Sequence, residues 1–169
     1  TVDIIASDGQ LSISTSFNVI VSAINDAPIT SEIDVTIDEG GSITISLDIE
    51  DVDNDIFEIF ITNYPAGGTI GIIDNTALTI EYIPYINFFG NDFIEYRVND
   101  GVDYSNTSPI NIVVNPINDA PIAEAIFAQT DEDTSVDIVL IASDIDGDDL
   151  TYLLDQDSAD GFVLITGST

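Results

Sequence analysis

One hexapeptide occurs twice in the sequence, and this repetition limits the possible folds more than any other feature. Residues 24–29 and residues 117–122 both read Ile-Asn-Asp-Ala-Pro-Ile, 93 residues apart. An acidic loop follows each copy at the same offset, with Asp51, Asp53 and Asp55 recurring as Asp144, Asp146 and Asp148. A fixed period of this length indicates tandem units, each the size of a small domain.

The register of the repeat predicts three segments. Residues 1–24 correspond to the C-terminal strands of a preceding repeat, residues 25–117 to one complete repeat, and residues 118–169 to the N-terminal part of a following repeat. Because the sequence begins and ends inside a repeat, we expect it to be a segment of a longer tandem array.

The charge balance restricts the partners of the chain. Its net charge is −31, from 32 Asp and Glu residues against one basic residue, Arg97, which we interpret as a lone charge on a strand face. Nucleic acid and anionic membrane surfaces are therefore excluded, because both require basic patches. Two carboxylates about 4 Å apart repel each other by roughly 4 kcal/mol at an effective dielectric near 20. Scattered acids are explained by a solvated surface, but clustered ones need open water or a bound cation.

Missing residue types exclude further classes. The sequence has no Cys, no His and no Lys, so it forms no disulfide, no Lys–Asn crosslink and no soft-metal site. The common nucleophile and base sets need His, Cys or Lys, and the recurring carboxylates lie at joints instead of converging on one cleft. We therefore predict that the protein is not an enzyme. No apolar run is long enough for membrane insertion.

Alternating apolar residues predict short β-strands and no helix. The runs lie at residues 35–37, 43–47, 57–61, 69–72, 78–82, 94–98 and 110–114, and a hairpin is predicted from residues 2–6 and 16–21. Seven strands with frequent turns in a unit of this size predict a Greek-key β-sandwich. The fold class is therefore all-β, with tandem seven-stranded sandwiches stacked head to tail as a rod.

Several motifs resemble those of known repeats. The order Ala6-Ser7-Asp8-Gly9, then Ile24-Asn25-Asp26-Ala27-Pro28, resembles the end of a cadherin repeat and its linker. Three further motifs resemble the bacterial cadherin-like and Ig-like tandem repeats of giant secreted surface adhesins: Tyr82-Ile83-Pro84, Asn87-Phe88-Phe89-Gly90, and Tyr96-Arg97-Val98-Asn99-Asp100-Gly101. The resemblance covers the whole chain, as part, whole and part of three repeats.

In cadherin-type repeats calcium lies at the joints between units, and the resemblance implies two sets of ligands here. We call the set before the complete repeat the first joint: Asn25, Asp26, Asp51, Asp53 and Asp100. We call the set after it the second joint: Glu39 with Asp38 beside it, Asn118, Asp119, Asp144 and Asp146. Hard oxygen ligands of this kind suit Ca²⁺, which accepts six to eight of them in irregular geometry.

The sequence departs from the cadherin pattern at the linker. Ala23 and Pro116 occupy the place of the first linker Asp, and the last linker Asn is missing. Fewer ligands imply one or two ions per joint, or weaker binding. A second interpretation stays open: the acidic loops are exposed turns in which Asp side chains accept backbone hydrogen bonds.

These features lead to three hypotheses about function. The first is a calcium-stiffened stalk segment of a large bacterial cell-surface adhesin, extracellular, which projects distal binding domains and whose partners are neighbouring repeats. The second is the structural subunit of an extracellular filament or sheath formed by self-association of the repeats. The third, a carbohydrate-binding module, ranks lowest, because Tyr and Phe mostly alternate onto the faces assigned to the core.

Overall fold

A computed structural model of the chain describes residues 1–53, 56–156, 158 and 160–166. All regular structure in these residues is β-strand, so the all-β prediction is confirmed. No helix able to cross a membrane occurs within the described part. Asn54 and Asp55 of the first acidic loop lie outside the described residues.

Strands occur in all three predicted segments. In chain order they are β1 (Val2–Ser7), β2 (Ser12–Phe17), β3 (Ile29–Thr30), β4 (Ile33–Asp38), β5 (Ile43–Ser46), β6 (Ile49–Glu50), β7 (Glu58–Asn63), β8 (Gly68–Asp74), β9 (Thr79–Pro84), β10 (Gly90–Asn99), β11 (Ser108–Asn115), β12 (Ile122–Ala123) and β13 (Ala142–Ser143). Apart from the two-residue strand β6, the strands β4 to β11 follow the alternating runs of the complete repeat.

The complete repeat is built from two sheets with a shared core. One sheet has the strand order β4-β11-β10-β7 and the other has the order β5-β9-β8. Neighbouring strands are antiparallel except β4 and β11, which run parallel from Ile33 opposite Ile110 to Asp38 opposite Asn115. The sandwich-like, immunoglobulin-like arrangement agrees with the sequence. The Greek-key connectivity and the head-to-tail stacking stay predictions.

The core consists of residues that alternate inward along the strands. The buried hydrophobic side chains are Ile45, Ile59, Ile80, Tyr82, Ile94, Tyr96, Val98, Ile110, Ile112 and Val114. Both sheets contribute to this cluster, so the sheets pack face to face. Full burial of one Ile or Val side chain stabilises a fold by roughly 1.5–3 kcal/mol. The cluster is therefore the main source of stability of the complete repeat.

A buried carboxylate fixes the turn before β8. Asp92 is 7% exposed. It accepts hydrogen bonds from the amides of Ala66 and Gly67 and from the Tyr82 hydroxyl, each 2.9 Å long. Gly67 lies so close to the Phe88 ring that a Cβ atom would collide with it. The sequence did not reveal this role, because Asp92 looked like one acidic loop residue among many.

The hairpin before the first joint forms at a different position from the predicted one. The strand predicted at residues 16–21 instead comprises Ser12–Phe17, paired with Val2–Ser7. The reason is the tight turn at residues 7–11, where Asp8 Oδ1 accepts the amides of Gln10 and Leu11 at 2.9 and 2.7 Å. These bonds also lower the pKa of Asp8, with that from Leu11 the largest cause. A turn this short brings Ser12 opposite Ser7, and pairing follows from there.

A small two-stranded sheet is reproduced in the third segment. The strands β3 and β6 pair Ile29 with Glu50. The strands β12 and β13 pair Ile122 with Ser143, at the same offset of 93 residues that separates the two hexapeptides. In the described part of residues 118–166, β12 and β13 are the regular strands present. The local fold next to each hexapeptide is therefore encoded by the repeat itself.

Candidate functional site

The same contact joins linker and acidic loop at both joints. The Asp26 amide donates to Asp53 Oδ2 at 2.8 Å, and the Asp119 amide donates to Asp146 Oδ2 at 2.6 Å. A second hydrogen bond, between residues of the acidic loop itself, also recurs at both joints. The Asp53 amide donates to Asp51 Oδ1 at 2.7 Å, and the Asp146 amide donates to Asp144 Oδ1 at 2.9 Å. The sequence repeat is therefore also a repeat of geometry.

Asp100 extends the first joint to the loop after β10. It is 8% exposed, and its Oδ1 accepts the amides of Val102 and Asp103, both at 2.7 Å. Its Oδ2 accepts the Asn25 side-chain amide at 3.0 Å. The amide of Asp103, then the side chain of Asn25 and the amide of Val102, lower the pKa of Asp100 below its ordinary value. Asp100 is therefore held as a carboxylate.

Asp103 belongs to the first joint, although it was not among the predicted residues. Asn25 Nδ2 lies 3.2 Å from Asp103 Oδ2, so one amide group lies between two carboxylates. The signal in the sequence was the spacing Asp-Gly-Val-Asp at residues 100–103, which places two carboxylates on one tight turn. The two carboxylates repel each other. The uncharged amide of Asn25 lies between them and donates to both, which moderates this repulsion.

Glu39 contacts the start of the linker. It is 8% exposed, and its Oε1 accepts the amide of Ile117 at 2.7 Å. Its own amide donates to the Asn115 carbonyl at 2.9 Å, while the Asn115 side chain donates to Asp38 Oδ1 at 3.0 Å. Glu39 thus joins the ends of β4 and β11 to the linker. The described contacts do not bring its carboxylate to the side chains of Asn118 or Asp119.

The predicted ligands are brought together in pairs and short chains. Asn118, for example, uses its side-chain amide on the Asp119 carbonyl at 2.9 Å. Among the described residues, no group of three or more Asp and Glu side chains is close enough to hold a metal ion. The joints therefore combine hard oxygen donors, which fit Ca²⁺ by their chemistry, with hydrogen bonds typical of Asx turns.

Aromatic side chains are more exposed than the sequence suggested. Tyr82 and Tyr96 are fully buried, whereas Tyr64, Tyr85 and Tyr104 are 68%, 55% and 47% exposed. Burial raises the pKa of Tyr96 to about 12, and its hydroxyl donates to the Ser31 carbonyl at 2.9 Å. The carbohydrate-binding module was ranked lowest on the premise that most Tyr and Phe residues face the core, and this premise was wrong. The reason is that several of them lie in loops, where strand alternation does not apply.

The two sheets and the recurring joints define an immunoglobulin-like repeat protein. The family model described as bacterial Ig domain matches residues 25–113 and 118–169, and the chain belongs to that family. The resemblance to bacterial Ig-like repeats is therefore confirmed. Domains of this family are common in extracellular and surface proteins, which agrees with the predicted location at this coarse level.

The chain is also similar to parts of solved enzymes. The endo-fucoidan hydrolase MfFcnA4 of glycoside hydrolase family 107, and a variant of it, match with 23% identity and a TM-score of 0.44, over 68% of this chain and 18% of theirs. The endo-fucoidan hydrolase MfFcnA9 matches with 16% identity and a TM-score of 0.41, over 65% of this chain and 21% of its own. This chain thus spans about a fifth of the length of these enzymes. No curated protein matches the chain.

The prediction that the protein is not an enzyme is wrong. The finding that overturns it is the match to the endo-fucoidan hydrolases named above, which are enzymes. The prediction relied on the lack of His, Cys and Lys and on carboxylates that lie at joints instead of in one cleft, and both grounds describe these 169 residues alone. Similarity at this level assigns neither a substrate nor a catalytic residue to the chain.

Proposed function

We propose that the chain is a stalk segment of a large bacterial cell-surface adhesin. Tandem bacterial Ig domains stack head to tail and hold distal binding domains away from the cell. Ca²⁺ at the joints stiffens the stack, and the partners of each repeat are its neighbours in the same chain.

The observation that carries the proposal is that the second linker is fastened from both sides. The Ile117 amide donates to Glu39 of the complete repeat at 2.7 Å, and the Asp119 amide donates to Asp146 of the next repeat at 2.6 Å. A hinge that moved freely would leave both amides to water. Two charge-assisted hydrogen bonds within three residues restrict the backbone there, because such bonds are stronger than neutral ones.

Calcium would reinforce this restriction. The first joint supplies Asn25, Asp26, Asp51, Asp53 and Asp100, to which the structure adds Asp103; the second supplies Asn118, Asp119, Asp144 and Asp146, with Glu39 at the linker. All of these offer hard oxygen atoms, the donors that Ca²⁺ prefers. The charge of the ion would offset repulsion that the single basic residue of the chain cannot neutralise.

A thermal melt tests the calcium joint. We expect millimolar Ca²⁺ to raise the Tm of the chain relative to chelator, because a site at 100 times its Kd stabilises by about 2.7 kcal/mol. The double variant Asp144→Asn, Asp146→Asn keeps an oxygen acceptor for the Asp119 amide while removing two charges, and it should lose that part of the rise contributed by the second joint.

The matched control removes two charges from the sheet of the complete repeat. Asp34 lies on β4 and Glu95 on β10. Asp34→Asn with Glu95→Gln should keep the full calcium response. Equal loss in both double variants would mean that Ca²⁺ only screens the net charge, and an unchanged melt of the original chain would refute calcium binding.

Scattering and microscopy test the stalk itself. Small-angle X-ray scattering should give a longer maximum dimension with Ca²⁺ than with chelator. Electron microscopy over a range of concentrations separates the stalk from the filament. Fibres that grow with concentration would contradict the stalk and favour the self-associating filament or sheath.

A further inference from the structure

Arg97, the single basic residue of the chain, has an aromatic partner. Its Cζ atom lies 3.9 Å from the centroid of the Tyr104 ring. Tyr104 meets Phe60 edge to face, with centroids 5.5 Å apart and planes at 72°. Phe60 on β7 is directly opposite Arg97 on β10 in the antiparallel register. Arg97 therefore lies over a loop ring that also contacts its strand neighbour Phe60, and is not the lone strand-face charge that the sequence suggested.

The ring that covers Arg97 belongs to the loop that carries Asp100 and Asp103. Tyr104 follows Asp103 directly and forms an isolated bridge with Asn99 at the end of β10. The Asn99 side chain donates to the Asp103 carbonyl at 2.8 Å, which closes the loop on itself. The loop is thus internally folded, and the Tyr104 ring attaches it to the sheet.

Because Arg97 contacts the Tyr104 ring, the carboxylates of Asp100 and Asp103 stay available to the first joint. An ion pair with Asp100 or Asp103 would take an oxygen away from Asn25, which contacts both at 3.0 and 3.2 Å. A guanidinium stacked on a ring needs no carboxylate, because the attraction comes from the face of the π-system. Arg97 Nε is buried and donates no hydrogen bond in the part of the chain that the structure describes, so it does not compete for these carboxylates.

We propose that Arg97, Tyr104 and Phe60 form a clamp that positions Asp100 and Asp103 at the first joint. All three are positioning residues, since they act on the joint through the loop that carries Asp100 and Asp103. The relevance of the clamp to stiffening rests on the proposed function, but the clamp itself is a property of the free protein and is tested without calcium.

Amide hydrogen exchange of the 169-residue chain in chelator tests the clamp. The reporters are the amides of Val102 and Asp103, which donate to Asp100 Oδ1. The reference is the amide of Tyr82 in the core strand β9, which reports global opening. Tyr104→Leu should accelerate the reporters about two- to fivefold relative to the reference, the change expected for loss of a partly exposed cation–π contact.

Two variants control for chemistry and for folding. Tyr104→Phe keeps the ring and should exchange like the original chain, whereas Arg97→Met removes the cation and should resemble Tyr104→Leu. Unchanged reporter exchange in Tyr104→Leu, or equal acceleration in Tyr104→Phe, would overturn the clamp. A variant that unfolds globally accelerates Tyr82 equally, and the ratio of reporter to reference then stays at its original value, which also counts against the clamp.

A calcium titration of the same variants separates this inference from the proposed function. If the joints bind Ca²⁺, Tyr104→Leu should raise the calcium midpoint of the first joint about two- to fivefold, and Tyr104→Phe should not. If the original chain shows no calcium response, the calcium joint fails while the exchange result still decides the clamp.

Discussion

At the scale of single residues, environment separates acids that stabilise the fold from acids that serve the joints. Asp92 is buried, and its oxygens accept hydrogen bonds from two turn amides and a core tyrosine. Asp51 and Asp53 lie in a loop and accept amides of the loop and the linker. The two environments cannot be distinguished from residue type, because each of these Asp residues has a polar residue on one side and an apolar residue on the other.

Removal of the Asp92 carboxylate should destabilise the complete repeat strongly. Asp92→Ala leaves the amides of Ala66 and Gly67 and the Tyr82 hydroxyl without their acceptor, and each buried unsatisfied donor costs about 1–3 kcal/mol. We expect a loss of at least about 2 kcal/mol in the free energy of unfolding by urea. Tyr82→Phe removes one donor instead and should cost about 1 kcal/mol. Equal costs for the two variants would contradict this role of Asp92.

Asp100 should titrate below its ordinary range. The amide of Asp103, the side chain of Asn25 and the amide of Val102 lower its pKa from 3.8. A group whose folded pKa is depressed stabilises the fold above its unfolded pKa, and that contribution is lost as pH falls through the folded value. An NMR titration of the carboxyl carbon in chelator should therefore give a midpoint below 3.8. Asn25→Ala should raise this midpoint, and a midpoint at or above 3.8 in the original chain would refute the assignment.

At the scale of elements, most of the fold was predictable because alternation and burial coincide. Along β9, β10 and β11 alternate residues are buried, which is the pattern that the sequence displays. The second strand of the hairpin was placed wrongly, because turn closure by Asp8 fixed the register and left the apolar run at residues 19–21 outside the pairing. Asp103 and the contact of Glu39 with Ile117 were missed, since each depends on where distant loops meet.

The short strand β3 offers a test of a side chain that replaces backbone pairing. Asn106 Oδ1 accepts the Thr30 amide at 2.9 Å, and Asn106 Nδ2 donates to the Thr30 carbonyl at 2.9 Å. Thr30 and Ser108 beside it are each 4% exposed. Asn106→Ala should lower the free energy of unfolding by about 1–3 kcal/mol, because it leaves buried groups without partners.

The exposed neighbour Thr107 provides the control. Thr107→Ala should leave both the stability and the exchange of the Thr30 amide unchanged, while Asn106→Ala should make that amide exchange faster. Slow exchange of Thr30 in Asn106→Ala would show that backbone contacts alone hold β3.

At the scale of the whole molecule, charge is the dominant property. A net charge of −31 on 169 residues means that folding gathers like charges into a small volume. The sequence made this clear, but it could not show how the repulsion is moderated locally. Part of the answer is that Asn side chains donate between acids: Asn111 Nδ2 contacts Glu32 at 2.6 Å and Asp34 at 2.9 Å. These neutral donors separate carboxylates without a cation.

Salt should therefore stabilise the chain in chelator. Raising NaCl from about 0.01 M to about 1 M shortens the Debye length from about 30 Å to about 3 Å, which screens repulsion among exposed carboxylates. Calorimetry should show a Tm that increases steadily over this range. Ca²⁺ added at constant ionic strength should produce a further, saturating increase at the joints. A Tm independent of NaCl would contradict the repulsion, and a calcium effect equal to that of NaCl would contradict specific sites.

The parallel pairing of β4 and β11 has a mechanical consequence. The chain reaches β4 from the first joint and leaves β11 towards the second, and the two strands point the same way through six residue pairs. A pulling force on the two joints draws these strands in opposite directions along their length. The load is then shared by all the hydrogen bonds between them, as in a shear, instead of opening them one by one as in a zip. The repeat should resist traction until the whole strand pair slips at once.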